Sequence, residues 1–235
     1  MNKLTGIAGI LVDYGGTLDT NGRHWASVFW DQYQLEGISV RKEEFYQAYV
    51  YAERKMALEP IIKSHFTFKD VLFVKIQAQF EYLKLESLVS SLGTNIVLAC
   101  HVLVLTSLKR AKPLLASLSK QYKLVMVSNF YGNLENILAD YHIGQYFDSV
   151  VESARVGVRK PDPEIYTLGV QAIDLPASSC VVLGDSYSKD MVPGKLNGCT
   201  TIWLNVDSWE EADLESSSAA DHIITDVLQL KEFLI

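Results

Sequence analysis

The sequence predicts an α/β protein with a parallel-sheet core and a second, smaller, all-helical domain. Three observations carry this prediction. Apolar runs that fit buried strands end in aspartate, serine or Gly-Asp. Beyond residue 108 such runs alternate with helical segments, the pattern of a parallel sheet. Between about His24 and Ser107 the chain reads as helix, with few strand signals. On this reading residues 1–20 and 108–235 form the sheet core, and residues 21–107 form the helical domain.

The first strand, residues 7–12, is continuously apolar, as a strand buried on both faces must be. It runs into Asp13-Tyr14-Gly15-Gly16-Thr17-Leu18-Asp19, where glycines permit a sharp turn and leave space beside the carboxylate. Open α/β sheets bind ligands outside the carboxyl ends of their strands. A carboxylate there can be a nucleophile, a metal ligand or both. Position 15, where a second acid could stand two residues on, is glycine. Thr20-Asn21-Gly22 reads as a turn. Arg41 to Phe45 opens a helix whose apolar residues recur through Tyr49 and Met56, and Pro60 breaks it or begins the next segment. Residues 67–85 carry Val71, Val74, Ala78 and Leu85 at helical spacing, and residues 95–105 form a further helix.

The core then resumes. Lys112-Pro113 starts a helix reaching Tyr122, and residues 123–127 form a strand ending at Ser128-Asn129. A helix over 133–142, a strand over 147–152 and a helix over 163–172 follow, the last with proline in its first turn. Residues 180–183 form a strand ending at Gly184-Asp185, and residues 189–196 a helix bent near Pro193-Gly194. Strands over 201–204 and 222–224 and a helix over 227–234 close the chain. The acidic run 209–215 and Ser216-Ser217-Ser218 read as solvated segments.

Composition narrows the function classes. Apolar residues make up 49% and charged residues 21%, as in soluble globular proteins. A net charge of -7 argues against nucleic acid or an anionic membrane as the main partner. A small anionic substrate stays open, because lysines and a metal ion can set the field inside a cleft. Cys100, Cys180 and Cys199 make neither a disulfide framework nor a zinc pattern, which fits a reducing cytoplasm. The N-terminal apolar run is too short for a signal peptide. Residues 96–108, interrupted by His101, read as too short to span a bilayer. Nothing in the sequence sets the oligomeric state.

Three later sites repeat the logic of Asp13. The Ser128 hydroxyl and Asn129 amide can donate to an oxyanion, although the pair also fits a helix N-cap. Lys160, in Arg159-Lys160-Pro161-Asp162-Pro163, precedes a proline-initiated helix, where a solvated lysine is the ordinary occupant. Gly184-Asp185 with Asp190 five residues on also fits a turn and a cap.

Taken in order, Asp13, Ser128, Lys160, Asp185 and Asp190 resemble the motifs of the haloacid dehalogenase-like hydrolase superfamily. The resemblance covers nearly the whole chain. It implies a Rossmann-like core and makes residues 21–107 a helical cap. It also implies Asp13 as nucleophile, and Mg²⁺ held by Asp13, Asp185 and the main-chain carbonyl of Gly15. Lys160 would neutralise the nucleophile and the phosphoryl oxygens. Ser128, Asn129, Gly16 and Thr17 would bind those oxygens. Asp190 would orient Lys160 or metal-bound water.

The chain departs from the family at Gly15. Phosphatases of the family carry an aspartate there, which protonates the leaving oxygen and then activates water. Such help is worth ~10²–10⁴-fold. The expectation is a Mg²⁺-dependent phosphatase of a small phosphorylated metabolite, working through an aspartyl-phosphate, with its acid from the cap, Tyr14 or His24. Two alternatives stand beside it. One is a dehalogenase- or phosphonatase-type hydrolase, the latter needing a Schiff-base lysine among Lys42, Lys55, Lys63, Lys69, Lys75 and Lys84. The other is a degenerate member that binds a metabolite without turning it over.

Overall fold

A computed structural model describes residues 3–207 and 218–235. The chain starts with β1 (Gly9–Val12), then four helices: α1 (Trp25–Leu35), α2 (Lys42–Leu58), α3 (Phe68–Leu83) and α4 (Thr94–Leu118). Strands and helices then alternate: β2 (Lys123–Ser128), α5 (Leu134–Asp140), β3 (Ser149–Glu152), α6 (Ser153–Val156) and α7 (Glu164–Ile173). They continue with β4 (Cys180–Gly184), α8 (Val192–Leu196), β5 (Thr200–Leu204), β6 (His222–Ile224) and α9 (Leu230–Leu234). The expected acidic segment 209–215, with Ser216 and Ser217, lies outside the described residues.

All strand pairs are parallel, in the order β3-β2-β1-β4-β5-β6. Side-chain alternation sends successive residues to opposite faces. Ile10, Val12, Leu124, Met126, Val181 and Leu183 therefore join one core, which continues into the helical insertion. Leu11, Val125, Val127, Val182 and Trp203 join a second core on the opposite face. On that face α7 lies so close that a Cβ on Gly169 would sit 2.9 Å from Val127 Cγ2. Strands are added outward in one direction from β1 to β3 and in the other from β4 to β6, so the crevice at the carboxyl ends of β1 and β4 is the topological switch point.

The insertion departs from expectation at its last helix. Two helices were expected, at 95–105 and from 112; α4 is one helix of 25 residues with Pro113 inside it. Proline costs ~3 kcal/mol in a helix interior. Burial of Ala111, Leu114, Leu115 and Leu118 around it offsets that cost. The unbroken helical run 86–118 is long and apolar enough to cross a membrane by length and composition alone, which corrects the shorter reading. Its Ile96, Val97, Cys100, Val104 and Leu108 are buried in the first core.

Candidate active site

Asp13 is the first residue past β1, and its amide donates to the Leu183 carbonyl of β4 (2.9 Å). The buried apolar strand therefore delivers a carboxylate, 5% exposed, to the switch point. Lys160 Nζ lies 2.6 Å from Asp13 Oδ1 and 2.7 Å from Asp190 Oδ1. Ser128, at the tip of β2, is 3.3 Å from Asp13 Oδ1. The Thr17 hydroxyl accepts from the Asp185 amide (3.0 Å). Its single proton lies within reach of Asp13 Oδ2 (2.9 Å) and Asp185 Oδ1 (3.1 Å). The expected residues, remote along the chain, thus meet in one place.

Their surroundings refine what each side chain can do. Both ends of the Asn129 amide are engaged by Lys160, accepting from its N–H (2.9 Å) and donating to its carbonyl (3.0 Å). That clamp fixes the loop carrying the lysine. The Gly16 amide donates to Asp19 (2.7 Å). Asp190 accepts from Lys160 and from the Tyr166 hydroxyl (2.8 Å) at Oδ1, and from the Ser186 amide (3.0 Å) at Oδ2. Tyr166, from α7, was not singled out in the sequence, and neither was Trp203, whose indole holds the Asp185 carbonyl (2.8 Å). Both sit within elements beside apolar neighbours and read as core.

The charges do not balance. Asp13, Asp185 and Asp190 bring oxygens within 4.8 Å of one another. Among the described residues, the one ammonium bonded to this group is Lys160, on Asp13 and Asp190. Burial acts against the Lys160 charge, but the two aspartates hold its pKa above the ordinary lysine value. Burial raises the Asp13 pKa against the pull of Lys160. Burial, then the charges of Asp13 and Asp190, push the Asp185 carboxyl well above its ordinary range. A divalent cation is the natural complement of such a hard-oxygen, electron-rich set. Gly16 keeps the space open: it has φ +90°, and a Cβ there would stand 2.3 Å from Asp185 Oδ2. These residues fit a Mg²⁺ ion, with Asp13 and Asp185 as the carboxylates that could hold it. Asp190, already bonded to protein donors at both oxygens, is better suited to orienting Lys160.

A cavity of about 150 Å³ opens beside Asp13. A Cβ on Gly15 would meet nothing within 4 Å, so the position that lacks an acid is open space. His24 borders this cavity; Tyr14 does not. The Tyr14 ring is buried edge-on to Phe68 and Phe130. His24 caps α1, its Nδ1 accepting from the Ala26 amide (3.2 Å). Trp25 lines the cavity and donates through its indole to Asp19 (3.0 Å). Burial lifts the Asp19 carboxyl to about 7, against the bonds from Gly16 and Trp25. The insertion closes the opposite wall with Tyr49, Phe68, Val71 and Leu72, and with Lys75 ion-paired to Glu53. Of the insertion's lysines, Lys75 alone borders the cavity.

The family model of the haloacid dehalogenase-like hydrolases matches residues 7–198. The chain is 32% identical over 92 residues to a glyceraldehyde 3-phosphate phosphatase of Pyrococcus furiosus, covering 39% of this chain and 38% of that protein. It is 30% identical over 112 residues to the pyrimidine 5'-nucleotidase YjjG of Escherichia coli, covering 47% and 50%. The matches thus span half or less of these relatives' length. In fold, the HAD-hydrolase YfnB of Bacillus subtilis, solved bound to magnesium, aligns with a TM-score of 0.59 at 19% identity, covering 96% of this chain and 97% of that one. The chain belongs to the haloacid dehalogenase-like hydrolases.

Proposed function

We propose that this hydrolase is a Mg²⁺-dependent phosphatase of small phosphorylated metabolites, with Asp13 as nucleophile. One observation carries the reading: an oriented, lysine-paired carboxylate at the tip of β1 faces a cavity, beside carboxylates that outnumber the cation bonded to them. Phosphatases among the relatives support it.

Asp13 Oδ attacks phosphorus in line, a P–O bond forms, and the bond to the leaving oxygen breaks. Lys160 neutralises the approaching anions, and the Ser128 hydroxyl receives the shifting phosphoryl charge. Mg²⁺ held by Asp13, Asp185 and the Gly15 carbonyl would supply further positive charge to the phosphoryl group. The leaving alkoxide needs a proton, and Gly15 has none to give. His24 is the candidate. Its Nδ1 accepts from the Ala26 amide, so the ring acts as an acid only as the imidazolium, after giving up that bond and taking a proton at Nδ1. It protonates the leaving oxygen, and then takes a proton from the water that cleaves the aspartyl-phosphate. The helical cap, residues 21–107, supplies the wall that contacts the leaving group and excludes bulk water.

The phosphonate-cleaving alternative needs a neutral amine for Schiff-base formation. Burial opposes charge on Lys75, but Glu53 and its neighbours hold its pKa above the ordinary lysine value, which counts against that route.

Phosphate release from aryl and alkyl phosphates with Mg²⁺ tests the proposal. Asp13→Asn is expected to lower it at least ~10³-fold. Mass spectrometry of acid-quenched enzyme should find a phosphoryl group on the peptide bearing Asp13. Undiminished release by the variant would remove Asp13 as nucleophile. His24→Phe should slow alkyl phosphates by roughly 10²-fold and aryl phosphates less, since aryl leaving groups need less protonation.

A further inference from the structure

The wall facing Asp13 contains an ion pair that packing alone does not account for. Lys75, on α3, has a side chain 9% exposed and pairs with Glu53 of α2. The Tyr131 hydroxyl, from the loop after β2, donates to Glu53 Oε2 (2.7 Å). The Lys75 ammonium also lies 5.7 Å from the centroid of the Tyr131 ring. Burying such a pair between two helices usually stabilises no better than apolar side chains of the same volume. This pair borders the cavity that contains Asp13.

We propose that Lys75, Glu53 and Tyr131 form a hydroxyl-recognising subsite for the leaving group, so that the preferred substrates are phosphate monoesters of short polyhydroxylated molecules. The substrate class rests on the phosphatase reading above. Charge excludes the obvious rival. Glu53 already compensates Lys75, so a second anion on the leaving group meets no uncompensated charge at that lysine. A hydroxyl meets both halves of what it needs. The ammonium has donors beyond the one directed at Glu53, and the carboxylate has lone pairs beyond those taken by Lys75 and Tyr131. Trp25, Phe68, Val71 and Leu72 offer the carbon skeleton an apolar surface. Size sets the length. Drug-sized ligands occupy sites of ≈ 300–1,000 Å³, and this cavity, at about 150 Å³, suits a few carbons rather than a nucleoside. Arg159 and Lys189 also border the cavity; both are exposed, and their charges reach Tyr131 and Glu53.

Calorimetric binding to the Asp13→Asn protein tests the subsite without turnover. The probes are glycerol 3-phosphate, propyl phosphate and 3-phosphoglycerate. Glycerol 3-phosphate should bind at least roughly tenfold tighter than propyl phosphate, because the hydroxyls find partners built for them. Removing Lys75 alone would strand Glu53, so Lys75→Met is combined with Glu53→Gln. In that background the preference should fall to within about threefold of unity. An unchanged preference, or none in the parent, overturns the subsite, as does tighter binding of the carboxylated probe. A purely structural ion pair would lower thermal stability and both affinities together and leave their ratio intact. Phosphate assayed after each titration shows whether the probe was turned over, so a failed Asp13 assignment and a failed subsite are told apart.

Discussion

The two walls of the cavity are built differently. On the sheet side, Asp13, Thr17, Lys160, Asp185 and Asp190 hold one another through short, directional bonds from three separate segments. On the insertion side, aromatic and aliphatic residues surround a single ion pair. Strand tips place chemistry because each tip has a fixed position and direction in the sheet. Helix faces place preference, because many side-chain combinations can cover the same surface. A change on the first wall should cost the reaction itself, and a change on the second should redistribute it among substrates.

The strongest attack on the sheet wall is Lys160→Met. It leaves Asp13 and Asp190 facing each other without their counter-ion in a buried setting. Loss of phosphate release by at least ~10³-fold is expected, with about 3–5 kcal/mol of stability lost in urea unfolding. Near-normal turnover would show that the ammonium is not needed. Gly16→Ala attacks the same wall sterically. With φ at +90° and its new Cβ 2.3 Å from the Asp185 carboxylate, alanine must displace that acid. Mg²⁺ affinity, read from the metal dependence of turnover, should fall roughly 10–100-fold. Unaltered metal dependence would detach Asp185 from the metal.

Gly15→Asp sharpens the comparison by filling the open position. Alkyl phosphate turnover should rise by up to roughly tenfold and aryl turnover less, a part of the full effect of general acid catalysis. An equal change on both would mean that His24 already suffices. The smallest expected effect is at Asp19, where the walls meet. Burial raises its folded-state pKa to about 7. A raised carboxyl favours folding while protonated, so its contribution is present below the unfolded value near 4 and is lost as pH rises towards 7. In Asp19→Asn that part of the decline should vanish. Melting temperatures at pH 5 and pH 7 should differ less than in the parent, and an identical difference would refute the assignment.

The sheet wall was legible in the sequence because its residues follow recognisable apolar runs. Asp13 and Asp185 each end such a run, and the run to Ser128 is nearly as clear. The insertion wall was not. Lys75 is one of six lysines between residues 21 and 107, and only the face of α3 that it shares distinguishes it. Val71, Lys75 and Gln79 recur at four-residue spacing and are all buried. Polar residues on an apolar helix face were the available signal, and they read as a weak interruption. Tyr166 and Trp203 escaped for the opposite reason, since their rings fit a core and only the polar tips reveal the site. Continuity through Pro113 could not be read locally, because burial of neighbouring side chains, not helix propensity, decides it.

The place of β1 in the sheet also bears on how the molecule is made. Gly9 pairs on one side with Lys123 and on the other with Cys180. During synthesis this short apolar strand must therefore wait for more than half the chain before its first neighbour exists, and longer for its second. Such distant pairings fold slowly and leave sticky segments open to aggregation in the interval. The candidate pocket stays incomplete until β4 docks, so nascent fragments lacking β4 would carry Asp13 without Asp185 and Asp190.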